Sequence, residues 1–236
     1  MLHHFLGEAA PGEREPVTLA LLADADDALA VALSWNLAHE LARLGVAVAW
    51  VTSLADEELL PPDSTPALTR LLSPAQDAAA LARAAAEAAA KLASTRAPAL
   101  VLVRVPPGWL EPGDAAERLL AATLQLSGPD SARRGHALAV ARRVLAARPD
   151  ARLGVTLCDV RSVREAAAAF EALSDESAER SAARLTSYGV LLDDAELYRS
   201  LLARRPLALL RPDGRAARSV ADVARLLRAD LFADAG

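Results

Sequence analysis

For its length, the chain contains few cysteines, lysines and aromatic residues. Its 236 residues include one cysteine, Cys158, so no disulfide can form within the chain, and this usage predicts a reducing, cytoplasmic location. Lys91 is the only lysine, although Lys and Arg together number 26. The net charge of −5 gives no basis for a general electrostatic attraction to nucleic acid or to an anionic membrane surface.

The sequence also lacks a long uncharged apolar run. No segment is apolar enough to span a bilayer, and Met1–Pro16 has no apolar core of the kind found in signal peptides. We expect a flexible N-terminal segment over 1–16, one α/β domain over 17–232 and a short tail over 233–236. With 53% hydrophobic residues, the domain can bury one substantial core.

Short apolar segments alternate with helical patterns along the chain. They predict strands over 17–22, 46–52, 99–105, 123–126, 153–158 and within 184–192. Helices are predicted from the first loop to about Leu44 and over 76–94, 114–122, 131–147, 162–179, 195–203 and 219–231. This alternation predicts a single doubly wound, mostly parallel sheet flanked by helices.

The loop between the first strand and the first helix is acidic. It contains Asp24, Asp26 and Asp27, and has neither the glycines nor the lysine with which nucleotide-binding loops hold phosphate. Carboxylates at a helix N-terminus accept hydrogen bonds from its first amides and repel a polyphosphate approaching the same place. The order of strand, loop and helix therefore suits a nucleotide site, whereas the loop residues do not.

Four segments, taken in order, resemble one known family. They are NLAHELARLG at Asn36–Gly45, VLVRVPPG at Val101–Gly108, LGVTLCDVRSVRE at Leu153–Glu165 and the run from Tyr188 to Leu227. They resemble the MinD/ParA family of deviant P-loop ATPases, most closely its FlhG (FleN) flagellar-number regulators. The resemblance implies the P-loop fold and a role in positioning or assembling a polar or surface structure.

The same resemblance places the family's nucleotide-binding positions on unsuitable residues. The phosphate-loop lysine falls at Ala30 and the hydroxyl that binds magnesium falls at Val31. Four further positions follow: the signature lysine at Ala25, the aspartate after the second strand at Thr52, the Walker B aspartate at Arg104 and the adenine-binding asparagine at Cys158. The resemblance thus implies a pseudo-ATPase with no catalytic residue, nucleotide cofactor or metal, whose degenerate phosphate loop comprises Asp24, Asp26, Asp27 and Ala30. Arg104 is expected to close this site through ion pairs with the loop carboxylates.

Two other functions are compatible with the sequence. Asp24-Ala25-Asp26 after a strand matches the DxD of haloacid-dehalogenase-like, magnesium-dependent phosphatases, with Thr52 or Ser53 binding phosphate and Asp193-Asp194 binding the metal. That chemistry also needs a lysine near the phosphate, and only Lys91 is available. The second alternative is a cellulose-synthesis or partition-type accessory protein of the MinD/ParA family.

Tryptophans are the candidates for partner contacts. Trp109 follows the Pro106-Pro107-Gly108 turn at the edge of the degenerate site, and Trp35 lies on the first helix, whereas Trp50 is assigned to the core. The expected partner is a protein. Nucleic-acid binding is not expected, any membrane contact is weak or indirect, and the closing helix is expected to pack on the domain.

Overall fold

The computed structural model describes residues 15–24, 27–53, 68–73, 77–181, 183–192 and 195–233. The strands are β1 (Val17–Leu22), β2 (Ala47–Ser53), β3 (Leu68–Ser73), β4 (Ala99–Val105), β5 (Ala122–Ser127), β6 (Arg152–Leu157) and β7 (Leu185–Val190). The helices are α1 (Ala28–Arg43), α2 (Ala78–Leu92), α3 (Asp114–Leu119), α4 (Ser131–Ala147), α5 (Val163–Ser181), α6 (Ala195–Leu202), α7 (Leu207–Leu210) and α8 (Arg215–Leu231).

The seven strands form one all-parallel sheet in the order β3-β2-β4-β1-β5-β6-β7. Strand β1 lies at the centre, hydrogen-bonded to β4 on one side and β5 on the other, with Leu21 opposite Arg104 and Leu22 opposite Gln125. The predicted doubly wound α/β fold is therefore confirmed. The boundaries of β1, β4 and α4 agree with those predicted from the sequence.

Each face of the sheet is covered by its own helices. Leu19 and Leu21 of β1 pack with α1, α6, α7 and α8, whereas Ala20 and Leu22 point to the other face and pack with α2, α3 and α4. This division follows from the alternation of side chains along a strand, and burial on both faces explains why β1 is apolar throughout. The closing helix α8 packs on α1 and β7, as expected.

Edge strand β3 was not predicted. Its sequence, LTRLLS, is short and mixed in polarity, and it becomes a strand by pairing in parallel with β2 over six residues.

Helix α8 begins at Arg215 rather than at the predicted Ser219. The predicted connector over 59–66 and the N-terminal segment as far as residue 14 lie outside the described residues.

Local signals explain where several helices begin and end. Asp27, Asp77 and Asp130 cap the N-termini of α1, α2 and α4 through their side-chain oxygens. Gly45, at φ 84°, turns the chain from α1 into β2, as its position after the helical pattern predicts. Among the described residues, no helix combines the length and apolar character needed to cross a membrane.

Candidate functional site

The candidate site lies at the carboxyl edge of the sheet, where β1, β4, β5 and β6 end. In open α/β sheets, ligands bind in the crevice outside the carboxyl ends of the strands, where connections leave a central strand in opposite directions. Here β1 is that central strand, and its loop enters the N-terminus of α1. The side chains at this edge therefore determine whether the fold can hold a nucleotide.

Asp27 occupies the amides that open α1. Its Oδ1 atom accepts hydrogen bonds from the N–H groups of Leu29 and Ala30, at 3.0 and 3.1 Å. In a phosphate loop, such amides point at the bound anion. The prediction that a loop carboxylate satisfies the helix N-terminus is confirmed for Asp27, while Ala25 and Asp26 lie outside the described residues.

Arg104 reaches the same loop from β4. It is buried, and its Nη1 atom donates to the backbone carbonyl oxygen of Asp24 at 2.9 Å. The N–H of Asp27 donates to that same oxygen, at 3.2 Å. This contact of Arg104 with Asp24 is made to the backbone carbonyl, whereas the sequence predicts an ion pair with the carboxylate. An ion pair with Asp26 stays a prediction.

The positions that the resemblance assigns to phosphate and magnesium are apolar and enclosed. Ala30 and Val31 are buried in the core formed by α1 and β1. Thr52, near the end of β2, is buried as well. Lys91 lies in the last turn of α2, which leads to the start of β4, so the length of a strand, about 20 Å, separates it from the carboxyl edge.

A cavity of about 470 Å³ lies beside this loop. Its lining comes from the α1 N-terminus, the ends of β5 and β6, and α4 and α6: Asp27, Leu29, Leu126, Ser127, Arg133, His136, Cys158, Asp159, Ala195 and Tyr198. Ligand pockets commonly have this volume. The lining mixes apolar and polar side chains, and its cation Arg133 forms ion pairs with Asp159 and Asp130.

Cys158, directly after β6, is hydrogen-bonded to the end of β5. Its N–H donates to the carbonyl of Ser127 at 2.8 Å, and its thiol donates to the same oxygen at 3.3 Å. The next residue, Asp159, has φ 55°, in the left-handed region that aspartate tolerates better than most side chains. The backbone N–H of Cys158, with a weak contribution from its thiol, therefore joins the end of β6 to the end of β5 at the position where the resemblance expects a base-reading amide.

The phosphatase alternative loses much of its support. The Lys91 position removes the cation that a phosphate ester would need, and burial removes the Thr52 hydroxyl from contact with a substrate. Asp26, Asp193 and Asp194 lie outside the described residues, as does the Ser53 side chain. Within the described part of the chain, no group of three His, Cys, Asp or Glu side chains could hold a metal ion.

The three tryptophans differ in their surroundings. Trp35 is 2% exposed, so it offers no surface to a partner, and its place in the core corrects the expectation of a contact there. Trp50 is buried, as expected. Trp109 is half-buried in the one-turn helix Pro107–Trp109, beside the N-terminus of α2, and its role in binding a partner stays a prediction.

Asn36 has a structural role that the sequence did not reveal. Its Nδ2 atom donates to the Ala32 carbonyl at 2.9 Å and to Ser200 Oγ of α6 at 2.8 Å. Its Oδ1 atom accepts from the N–H of Leu207, at the start of α7, at 2.7 Å. Asn36 thus holds both helices against α1. In the sequence, the only indication of this role is a single amide side chain within the apolar pattern of α1. No sequence rule identifies Ser200 and Leu207 as its partners, because they lie so far along the chain.

No protein-family model and no curated protein matches the sequence. Solved structures match it closely in shape. MinD from Aquifex aeolicus is 17% identical, with a TM-score of 0.63 over 89% of this chain and 97% of its own. A ParA-family ATPase from Chlorobium tepidum is 14% identical, with a TM-score of 0.62 over 90% of this chain and 99% of its own.

A third structure holds a nucleotide. The septum site-determining protein MinD from Pyrococcus horikoshii, in complex with Mg-ADP, is 14% identical, with a TM-score of 0.61 over 93% of this chain and 97% of its own. Identities this low establish the fold alone. This chain has the fold of the MinD/ParA-type P-loop ATPases, over nearly the full length of those proteins.

Proposed function

We propose that this chain is a nucleotide-independent pseudo-ATPase of MinD/ParA fold that acts through protein contacts. The observation that carries the proposal is the cap of α1, where Asp27 accepts hydrogen bonds from the Leu29 and Ala30 amides. A phosphate group would have to displace this carboxylate from those amides. The residues present therefore do not fit a nucleoside triphosphate.

Electrostatics opposes phosphate at the same place. Two unit charges of the same sign 4 Å apart repel each other by about 4 kcal/mol at an effective dielectric constant of 20. A triphosphate beside Asp27 would meet this repulsion without an ammonium group, since Lys91 lies toward the opposite edge of the sheet. Arg104 reaches the loop from β4, where it is engaged with the Asp24 carbonyl, and Arg133 in the neighbouring cavity is paired with Asp159 and Asp130.

Nucleotide titration tests this proposal directly. In calorimetry with ATP and Mg²⁺, and separately with ADP and Mg²⁺, we expect no binding heat, and we expect no phosphate release on incubation with ATP. The Pyrococcus horikoshii MinD, whose structure contains Mg-ADP, serves as the positive control. Binding of either nucleotide at micromolar concentrations would contradict the proposal.

The biological setting that we propose is the positioning or assembly of a polar or surface structure, similar to the flagellar role of FlhG. A cellulose-synthesis or partition-type accessory role is the alternative within the same fold. Protein partners are supported by the MinC:MinD cell division complex of Aquifex aeolicus, whose MinD-type fold this chain shares at a TM-score of 0.60 and 16% identity. Neighbouring genes for flagellar, cellulose or partition proteins would discriminate among these settings.

A further inference from the structure

Helices α6 and α7 expose large apolar side chains. Tyr198 and Leu202 of α6 are 41% and 85% exposed, and Leu209 of α7 is 66% exposed. Tyr198 and Leu202 are four residues apart, so they lie next to each other on one side of α6. The inner side chains of both helices, including Leu197 and Leu207, are already buried in the core. The exposed side chains are therefore not part of the core that packs these helices on the domain.

The same segment is basic in an acidic protein. From Leu197 to Pro212 the sequence contains Arg199, Arg204, Arg205 and Arg211 and no aspartate or glutamate. All four arginines are exposed. The chain as a whole has a net charge of −5, so this segment opposes the overall sign. Arg211 is already paired with Glu196, so we call Tyr198, Leu202, Leu209, Arg199 and Arg205 the α6–α7 surface.

The backbone beneath the α6–α7 surface is held firmly. Asn36 joins Ser200 and Leu207 to α1 through the hydrogen bonds described above. The buried carboxylate of Glu196 accepts from Arg211 Nη1 at 2.6 Å, which holds the end of α7 against the start of α6. A surface fixed in this way loses little conformational entropy when it binds a partner.

We propose that the α6–α7 surface binds an amphipathic helix of another protein, with leucine-like side chains on one face and glutamates or aspartates on the other. This inference rests on the proposed function, in which the chain acts through protein contacts. The exposed apolar side chains supply the contact area, and Arg199 and Arg205 pair with the acidic residues of the partner helix. Tyr198 also lines the cavity at the sheet edge, so an anchor side chain of the partner has a pocket beside it.

The observations favour a protein over a membrane or a nucleic acid. Tyr198, Leu202 and Leu209 form too small an apolar face to enter a bilayer, because the inner faces of both helices are buried in the domain. A nucleic-acid backbone would engage the arginines but would leave Leu202 and Leu209 in water. An acidic amphipathic helix can pair with the arginines through its carboxylates and cover the leucines with its apolar face.

A set of labelled peptides tests the proposal on the full chain by fluorescence anisotropy. The first peptide is a helix with leucines on one face and glutamates on the other, the second has lysines in place of the glutamates, and the third has the first composition in scrambled order. We expect binding of the first peptide only, weakening as salt is added. Leu202→Asp combined with Leu209→Asp should weaken that binding about tenfold or more.

Reversing the charge of two arginines on this surface provides the most specific test. Arg199→Glu combined with Arg205→Glu should abolish binding of the glutamate peptide and create binding of the lysine peptide. Val163→Asp is the matched control, because Val163 is 64% exposed at the start of α5 and lies outside the α6–α7 surface. That variant should bind the glutamate peptide as the wild type does. All substituted side chains are exposed, and a thermal melt confirms that each variant is folded.

Several outcomes would overturn the proposal. These are failure of the glutamate peptide to bind, equal binding of the scrambled or lysine peptide to the wild-type chain, and equal loss of binding in Val163→Asp. Preferential binding to vesicles containing phosphatidylglycerol, or to duplex DNA, would also overturn it if the Leu202 and Leu209 substitutions reduced that binding. An ATP titration run in parallel separates the two proposals: peptide binding together with ATP binding contradicts only nucleotide independence, whereas absence of both contradicts only the α6–α7 surface.

Discussion

The side-chain carbonyl of Asn36 accepts a hydrogen bond of 2.7 Å from the backbone N–H of Leu207, which lies 171 residues further along the chain. This buried contact joins the first helix to the short helix α7. Together with the bond from Asn36 to Ser200, it determines where α6 and α7 lie on the sheet. The exposed side of those helices is the surface that we propose for partner binding.

Replacing Asn36 by alanine should destabilise the domain and loosen α7. The substitution leaves the Leu207 N–H without its acceptor in the core, so we expect a loss of about 2 to 3 kcal/mol in the free energy of unfolding. Urea denaturation measures the loss, and hydrogen exchange at Leu207 should become faster. Ser200→Ala removes only one of these contacts and should cost about 1 kcal/mol. Equal losses for the two variants would show that Asn36 does not act on both helices.

Replacing Asp27 by alanine should remove the cap of α1. We expect a loss of about 0.5 to 2 kcal/mol in the free energy of unfolding, because the Leu29 and Ala30 amides lose their acceptor. Asp27→Asn is the control, since its side-chain oxygen can still accept these hydrogen bonds. Chemical denaturation of the three proteins provides the comparison. A loss in the asparagine variant as large as that in the alanine variant would exclude capping as the cause.

His39 should make the domain less stable in acid. Burial lowers the pKa of His39 from 6.5 to about 4 in the folded chain, where its ring lies edge-on to Trp35 with centroids 5.4 Å apart. Between these two values the unfolded chain binds more protons than the folded chain, so the free energy of unfolding decreases as the pH falls from about 6.5 to about 4.

The His39 contribution can be isolated by comparing the wild type with His39→Phe, which retains an aromatic ring. From pH 7 to about pH 4.5, urea denaturation should show an additional loss of about 2 to 2.5 kcal/mol in the wild type. The variant retains every other acid-sensitive group. The same pH dependence in both proteins would therefore refute the assignment to His39.

Gly154 should tolerate no side chain. A Cβ atom at this position of β6 would lie 2.3 Å from the Tyr188 ring and 2.6 Å from the Thr123 carbonyl oxygen. Tyr188 cannot move freely, because its hydroxyl donates to Asp230 at 2.5 Å. We expect Gly154→Ala to destabilise the domain by about 1 to 3 kcal/mol or more.

A glycine in α4 offers the matched control for that substitution. A Cβ atom at Gly135 would meet nothing within 4 Å, so Gly135→Ala should raise the free energy of unfolding by about 0.5 to 1 kcal/mol. Melting temperatures of the two variants should therefore move in opposite directions. If both melting temperatures shifted in the same direction, lack of space around Gly154 would not be the cause of the change in stability.

The buried strands were the most predictable part of the fold. β1 and β4 are continuous apolar runs, and such runs are typical of strands covered on both faces. Edge strand β3 could not be recognised, because its pattern is short and its pairing with β2 depends on distant residues. Trp35 was equally ambiguous, because a tryptophan on a helix can face either the core or solvent, and only the packing of α1 places it inside.

In the candidate site, too, some features follow from the sequence alone and others depend on the tertiary structure. The sequence by itself determined that the loop after β1 is acidic, that one lysine is present and that Asp27 stands where a helix cap is needed, since these properties depend on residue type and local spacing. Only the tertiary structure decided that Arg104 meets the Asp24 carbonyl, that Lys91 lies toward the opposite edge, and that Asn36 positions α6 and α7. Such contacts join residues far apart in the chain, and they exist only once the sheet and its covering helices have brought those residues together.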